Sequence, residues 1–98
     1  MVQSILTQSF IDEFKAVWRQ KYVDDPIIVC KLQIPWKARM LLLYDYSERD
    51  DEYFGILYDW NEMGYYGFLP CHLRDIEKKA WMSIERDTLF KPCKASQL

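Results

Sequence analysis

Glycine is scarce in this chain, with three in 98 residues. Gly55, Gly64 and Gly67 cannot be arranged into a phosphate-cradling P-loop or a dinucleotide fingerprint, both of which need several glycines at fixed short spacing. Histidine is scarcer: His72 stands alone, so any Cys–His or Ser–His catalytic pair would have to use it. Its neighbour Cys71 does not qualify, because adjacent residues on a helix point about 100° apart. The three cysteines, Cys30, Cys71 and Cys93, lie 41 and 22 positions apart. Structural zinc sites are built from closely spaced pairs, so no metal site is expected. An odd, wide set is also a poor disulfide framework. Free thiols in a reducing cytoplasm are the expectation, with Cys30 serving as packing. No run of eighteen apolar residues occurs, so no membrane span is expected. The N-terminus lacks the basic and apolar regions of a signal peptide. Linkers and low-complexity stretches are missing too.

What is present is a core. Half of the residues are hydrophobic and 16% are aromatic, which excludes disorder. The length allows one domain spanning 1–98, burying about 65% of the unfolded surface. Its net charge of −2 is unevenly spread. Residues 1–43 carry six basic and four acidic groups, residues 44–71 one and seven, and residues 72–98 six and four. The acidic excess is Asp45, Glu48, Asp50, Asp51, Glu52, Asp59 and Glu62. Asp50, Asp51 and Glu52 look like a calcium cluster but lack the twelve-residue loop and its glycine. A sequence pI near 5.3 disfavours generic binding to phosphate backbones.

Phe10, Ile11, Phe14, Val17, Trp18 and Tyr22 repeat at helical spacing and predict an amphipathic helix with these aromatics in the core. Thr7 or Ser9 would cap it, Asp12 would sit in its first turn, and Asp24-Asp25-Pro26 would end it. Ile27–Ile34 then reads as a strand closed by Pro35. Arg39–Tyr46 is a second, nearly continuous in apolar character and so central. Tyr53–Trp60 and Tyr65–Leu69 follow, joined by Asn61-Glu62-Met63-Gly64. They carry related pentapeptides twelve positions apart, Tyr53-Phe54-Gly55-Ile56-Leu57 and Tyr65-Tyr66-Gly67-Phe68-Leu69. Pairing Trp60 with Tyr65 would put Phe54, Ile56, Tyr58, Trp60, Tyr65 and Leu69 on one face. Tyr53, Leu57, Tyr66 and Phe68 would share the other, with a ring over a strand glycine. A short helix over Cys71–Lys79, with Pro70 near its first turn, precedes an extended Trp81–Asp87. Glu85-Arg86-Asp87 would tie the C-terminal segment to the sheet, Phe90-Lys91-Pro92 would dock, and residues 93–98 would fray. The fold class expected is α+β: an N-terminal helix, a four-stranded antiparallel sheet, a short second helix and an extended C-terminal segment. Short connections make the sheet antiparallel.

Several stretches, taken in order, resemble a small single-domain family of unknown function carried on bacterial plasmids, phages and other mobile elements. They are Leu6-Thr7, Asp24-Asp25-Pro26-Ile27-Ile28-Val29 with Lys31-Leu32, and Pro35-Trp36. Next come Tyr53-Phe54-Gly55, Glu62-Met63-Gly64-Tyr65, Leu73-Arg74-Asp75-Ile76 and Ile84-Glu85-Arg86-Asp87 with Phe90-Lys91-Pro92. Gln33, Met63 and Cys71 depart from that pattern, where phenylalanine, leucine and serine are usual. The resemblance implies an α+β fold and a mobile-element context, and it carries no catalytic residues with it.

The residues carry no catalytic signature and call for no cofactor. Aromatics beside an acidic hairpin end fit a protein–protein contact, with Trp60 and Tyr65 as anchors and Asp45, Glu48, Asp50, Asp51, Glu52, Asp59 and Glu62 around them. A non-enzymatic binding protein is therefore expected, inhibiting a host defence or nucleic-acid-processing protein with a basic surface. An alternative is a nucleic-acid accessory protein using Lys78, Lys79, Lys91 and Lys94. A small hydrolase is the other, and it requires a concave pocket lined by His72 or by carboxylates such as Asp45, Asp59 and Glu62.

Overall fold

Thr7 starts the first helix: its hydroxyl oxygen accepts a hydrogen bond from the Phe10 backbone N–H at 3.2 Å. In the computed structural model, which describes residues 5–79 and 84–98, this helix (α1) is Gln8–Lys15. Phe10 and Phe14, four apart on one side, are its buried residues. Each buries apolar area worth about 2–3 kcal/mol. The expected continuation to Tyr22 does not form, and Asp12 lies beyond the first turn. Val17 N–H and Trp18 N–H bond back to the Phe14 and Lys15 carbonyls, and Trp18 turns left-handed at φ 59°. Trp18 and Tyr22, which the periodicity places in the core, are 83% and 89% exposed.

Tertiary hydrogen bonding explains the early stop. Gln20, two residues on, is buried and its side-chain amide bridges two segments. Its Oε1 accepts from Ile27 N–H at 2.8 Å, and its Nε2 donates to the Ile27 and Tyr44 carbonyls at 2.9 and 2.7 Å. Gln20 N–H donates to the Asp45 carboxylate at 2.8 Å, and Arg19 forks onto the same group. A helix through residue 20 could not present both its backbone N–H and its amide this way.

The expected first strand is two strands. Ile27–Ile28 (β1) and Cys30–Ile34 (β2) flank Val29, whose N–H donates to Leu43 O at 2.8 Å. Pro35–Lys37 forms one 3₁₀ turn, and Arg39–Ser47 (β3), Glu52–Asp59 (β4) and Gly64–Cys71 (β5) follow. After Leu73–Lys79 (α2) come Glu85–Arg86 (β6) and Cys93–Lys94 (β7). The expected extended stretch at Trp81–Ser83 lies outside the described residues. The main antiparallel sheet has five described strands in the order β5-β4-β3-β2-β6, one more than expected, with β3 in the middle as its apolar run predicted. A separate two-stranded pair joins β1 to β7. Residues 93–98, expected to fray, are docked: Ile27 faces Lys94, and Ser96 bonds Asp25 through backbone N–H and hydroxyl at 2.9 and 2.7 Å.

The sheet buries both faces. One face, with Leu32, Leu41, Leu43 and Tyr53, packs against Phe10 and Phe14 of α1 and Leu73 of α2. The other, with Met40, Leu42, Tyr44 and Phe54, packs against Ile28 and is covered by Phe90 and Ala95. A β-bulge between Leu43 and Asp45 reverses the alternation, so Tyr44 belongs to the second face and Tyr46 to the first. As expected, Phe54, Ile56 and Tyr58 share the second face and Tyr53 and Leu57 the first. The hairpin pairing is shifted by two residues from that expected, with a loop of the same length: Tyr58 faces Tyr65 in place of Gly67 and Asp59 faces Gly64, leaving Trp60 in the loop. No ring accounts for Gly55. Its missing Cβ is demanded by β3, since that atom would lie 2.7 Å from Leu42 O. Pro70 and Cys71 end β5 and do not begin the helix, which starts at Leu73.

Arg86 ties β6 down. It pairs with Leu32 through the backbone and forks onto the Glu13 carboxylate at 2.6 and 2.7 Å. Asp87 N–H adds a bond to Lys31 O.

Candidate functional site

The β4–β5 hairpin ends in an uncovered aromatic cluster. Because Tyr58 and Tyr65 are cross-strand partners, their rings meet edge-on with centroids 4.7 Å apart. Trp60 stacks edge-on to Tyr58 at 5.2 Å. These rings continue the second face beyond Phe90 and Ala95. Tyr65 is 65% exposed, Trp60 45% and Met63 78%.

The loop beneath them is well held. Asp59, at the end of β4, is buried, and its carboxylate accepts from Arg39 Nε at 3.0 Å, Asn61 N–H at 2.9 Å and Glu62 N–H at 3.4 Å. Burial alone would raise its pKa; the guanidinium and the two backbone donors outweigh burial and hold it below the ordinary carboxylate range. Trp60 N–H donates to Ala38 O at 3.0 Å. Met63, left-handed at φ 53°, closes the turn just before Gly64 begins β5. Sequence reasoning selected Trp60 and Tyr65 here but missed Tyr58 and Met63. The signal for Met63 was its place before glycine in a four-residue connection.

The acidic residues do not form one patch. Asp59 and Glu62 lie at one end of β4; Asp45, Glu48, Asp50, Asp51 and Glu52 lie at the other, about 25 Å of strand away. Cations from elsewhere meet most of the latter group. Arg19 takes Asp45, which is buried and so offers no surface; Lys15 lies 3.3 Å from Glu48, and Arg74 2.9 Å from Asp51. Asp51 also accepts from Tyr46 Oη, and the Arg74 hydrogen bond chiefly holds its pKa down. Glu52 lies 3.3 Å from His72 Nε2, and Asp50 accepts from Ser47 Oγ. Three of these five carboxylates therefore meet a permanent cation within the chain, and with Arg39 on Asp59 four of the seven in residues 44–71 do.

On the first face a groove of about 770 Å³ runs between the β4–β5 loop and α2. Trp36, Leu41, Leu57 and Ile76 are among its apolar lining, and Lys37, Arg39, Asp59, Glu62, Cys71, His72 and Asp75 supply its polar groups. This is the concave setting a hydrolase needs. Burial pushes the Cys71 thiol up to about 11, away from the thiolate form that nucleophilic attack needs. Burial likewise pushes Cys30 up to about 12, as its packing role predicts. Asp59 is committed to Arg39 and the loop. No group of three or more metal-ligating side chains occurs among the described residues.

Of the lysines expected for nucleic acid, the side chain of Lys79 lies outside what the structure describes, and the other three do not share one face. Lys78 is on α2 against the first face, whereas Lys91 and Lys94 flank the segment covering the second. No helix among the described residues is long and apolar enough to cross a membrane. No protein family, no curated protein and no solved structure matches this chain.

Proposed function

We propose that the protein is a non-enzymatic binding protein that grips another protein through the Tyr58–Trp60–Tyr65 cluster. One observation carries this reading: large rings packed edge to edge on a hydrogen-bonded hairpin tip, with Trp60 and Tyr65 left 45% and 65% exposed. Rings held in this way lose little freedom on binding and bury much area, the character of an interface anchor. The ordered motifs that resemble a mobile-element family favour a phage or plasmid setting in the cytoplasm. There the target is a host defence or nucleic-acid-processing protein. A basic surface on that target is not essential to this reading, because Asp45, Glu48, Asp51 and Asp59 are paired with cations within the chain.

The test compares wild-type chain with Trp60→Ser/Tyr65→Ser in pull-downs from the native host, followed by a titration with the partner recovered. The double variant is expected to weaken that partner by at least about thirtyfold. Asp50→Lys is expected to leave it almost unchanged. Retention of the same partner at wild-type affinity by the double variant defeats the reading.

A further inference from the structure

At the opposite end of β3 from Trp60, a hollow of about 520 Å³ opens between the end of α1 and the β3–β4 connection. That volume suits a small ligand. Its floor is aromatic, formed by the buried rings of Phe14 and Tyr46 with centroids 6.5 Å apart. Trp18 stands at its side, 83% exposed, with a left-handed backbone at φ 59°. Helices commonly end on such a dihedral, and glycine is the usual occupant because a Cβ is penalised there. A bulky residue held in this strained conformation is a pointer to function when burial does not reward it. Here it does not: the indole joins neither core cluster.

The rim carries three cations, Lys15, Arg19 and Arg49, and one carboxylate, Glu48. Arg19 is committed to the buried Asp45 beneath it. Lys15 lies 3.3 Å from Glu48, but side-chain exposures of 48% and 74% make that pair weak and easily rearranged. Arg49 lines the hollow and has no carboxylate partner among the described residues. The site therefore offers an open indole face, a ring floor and one unmatched guanidinium.

We propose that this hollow binds a flat anion of the nucleotide class, with its ring stacked on Trp18 and its phosphate held by Arg49 and Lys15. Stacking on an exposed indole is available to any base, and a guanidinium matches phosphate through two parallel hydrogen bonds. The hollow is separate from the hairpin tip, so its ligand and the protein partner are independent claims.

The test is calorimetric titration of the full chain with adenosine monophosphate, and with adenosine and inorganic phosphate separately. The whole nucleotide is expected to bind at least about tenfold more tightly than either half. Trp18→Gly should weaken it by about tenfold or more while keeping or raising Tm, because glycine relieves the left-handed strain. Arg49→Glu should cost a similar factor. An oligodeoxyadenylate that displaces the nucleotide more tightly than the nucleotide binds identifies a strand as the source, and weaker displacement identifies the free nucleotide. Absence of binding at millimolar nucleotide, or wild-type affinity in a folded Trp18→Gly chain, overturns the proposal.

Discussion

Tyr53-Phe54-Gly55-Ile56-Leu57 and Tyr65-Tyr66-Gly67-Phe68-Leu69 are close in sequence and lie side by side in the sheet, yet they do different work. The first occupies β4, which has a neighbour on each side; the second occupies β5, which has one described neighbour. Tyr53 is fully buried among Phe10, Phe14 and Tyr46, whereas Tyr65 is 65% exposed. A Cβ on Gly55 would strike Leu42 O at 2.7 Å and Leu43 Cδ2 at 2.8 Å; a Cβ on Gly67 would meet nothing within 4 Å. The leading tyrosine thus serves as core in one strand and as presented surface in the next, and the glycine meets a close approach in the first alone. Position in the sheet, not composition, sets the role.

The sharpest way to break this comparison is to add one methyl group to each strand. Gly55→Ala is expected to cost about 3 kcal/mol, since backbone on a central strand cannot move aside; urea denaturation measures it, and a loss within error of zero would dissolve the contrast. Next in size is the other edge of the sheet, where Arg86 of β6 grips Glu13. The Arg86 hydrogen bond holds the Glu13 carboxyl below its ordinary 4.5. A carboxyl depressed in the folded state stabilises above its unfolded pKa and loses that contribution as pH falls through the folded value. Glu13→Gln should therefore cost about 1 kcal/mol at pH 7, after discounting for partial exposure, and the cost should vanish in acid below the ordinary carboxylate range. Denaturation midpoints of both proteins across pH 2–8 would show the curves converging; parallel curves would remove the pair's role.

Tyr53→Phe is expected to be neutral or to stabilise by up to about 1 kcal/mol. The buried Tyr53 hydroxyl has no hydrogen-bond partner among the described residues, and an unsatisfied hydroxyl in the core costs free energy. A clear destabilisation would mean that the hydroxyl has a partner. Smallest is Gly67→Ala, expected to lie within about 0.5 kcal/mol of wild type, because φ is not left-handed there and the space is open. Thermal denaturation resolves it from the Gly55→Ala result.

Much of the fold is legible without coordinates. The β3 run Arg39–Tyr46 is apolar on both faces, and only a strand at the centre of a sheet can bury both; it is the middle strand. Alternation sorted Phe54, Ile56 and Tyr58 from Tyr53 and Leu57, since period-2 geometry is local. The thiol of Cys30 followed from its apolar neighbours. Trp18 and Tyr22 show where such reasoning stops. Both continue the helical period of Phe10 and Phe14, and nothing local distinguishes them from core. What ends the helix is the demand of Gln20 for Ile27 and Tyr44 and of Asp45 for Arg19, partners 7 to 26 positions away.

The candidate site divides along the same line. Aromatic content between residues 58 and 65 and turn chemistry at Met63-Gly64 mark a hairpin tip from sequence alone, because hydrophobicity and backbone preference are properties of the residues themselves. Charge is not such a property once the chain folds. Seven carboxylates crowd residues 44–71, and their field depends on where Lys15, Arg19, Arg39 and Arg74 come to rest. The amino-acid order determined where α1 begins, where the long strands β3 and β4 run and which faces of β4 are apolar. Only the tertiary arrangement decided that Asp45, Glu48, Asp51 and Asp59 would be paired and Trp18 left open, because pairing energies depend on distances through space that chain separation does not encode.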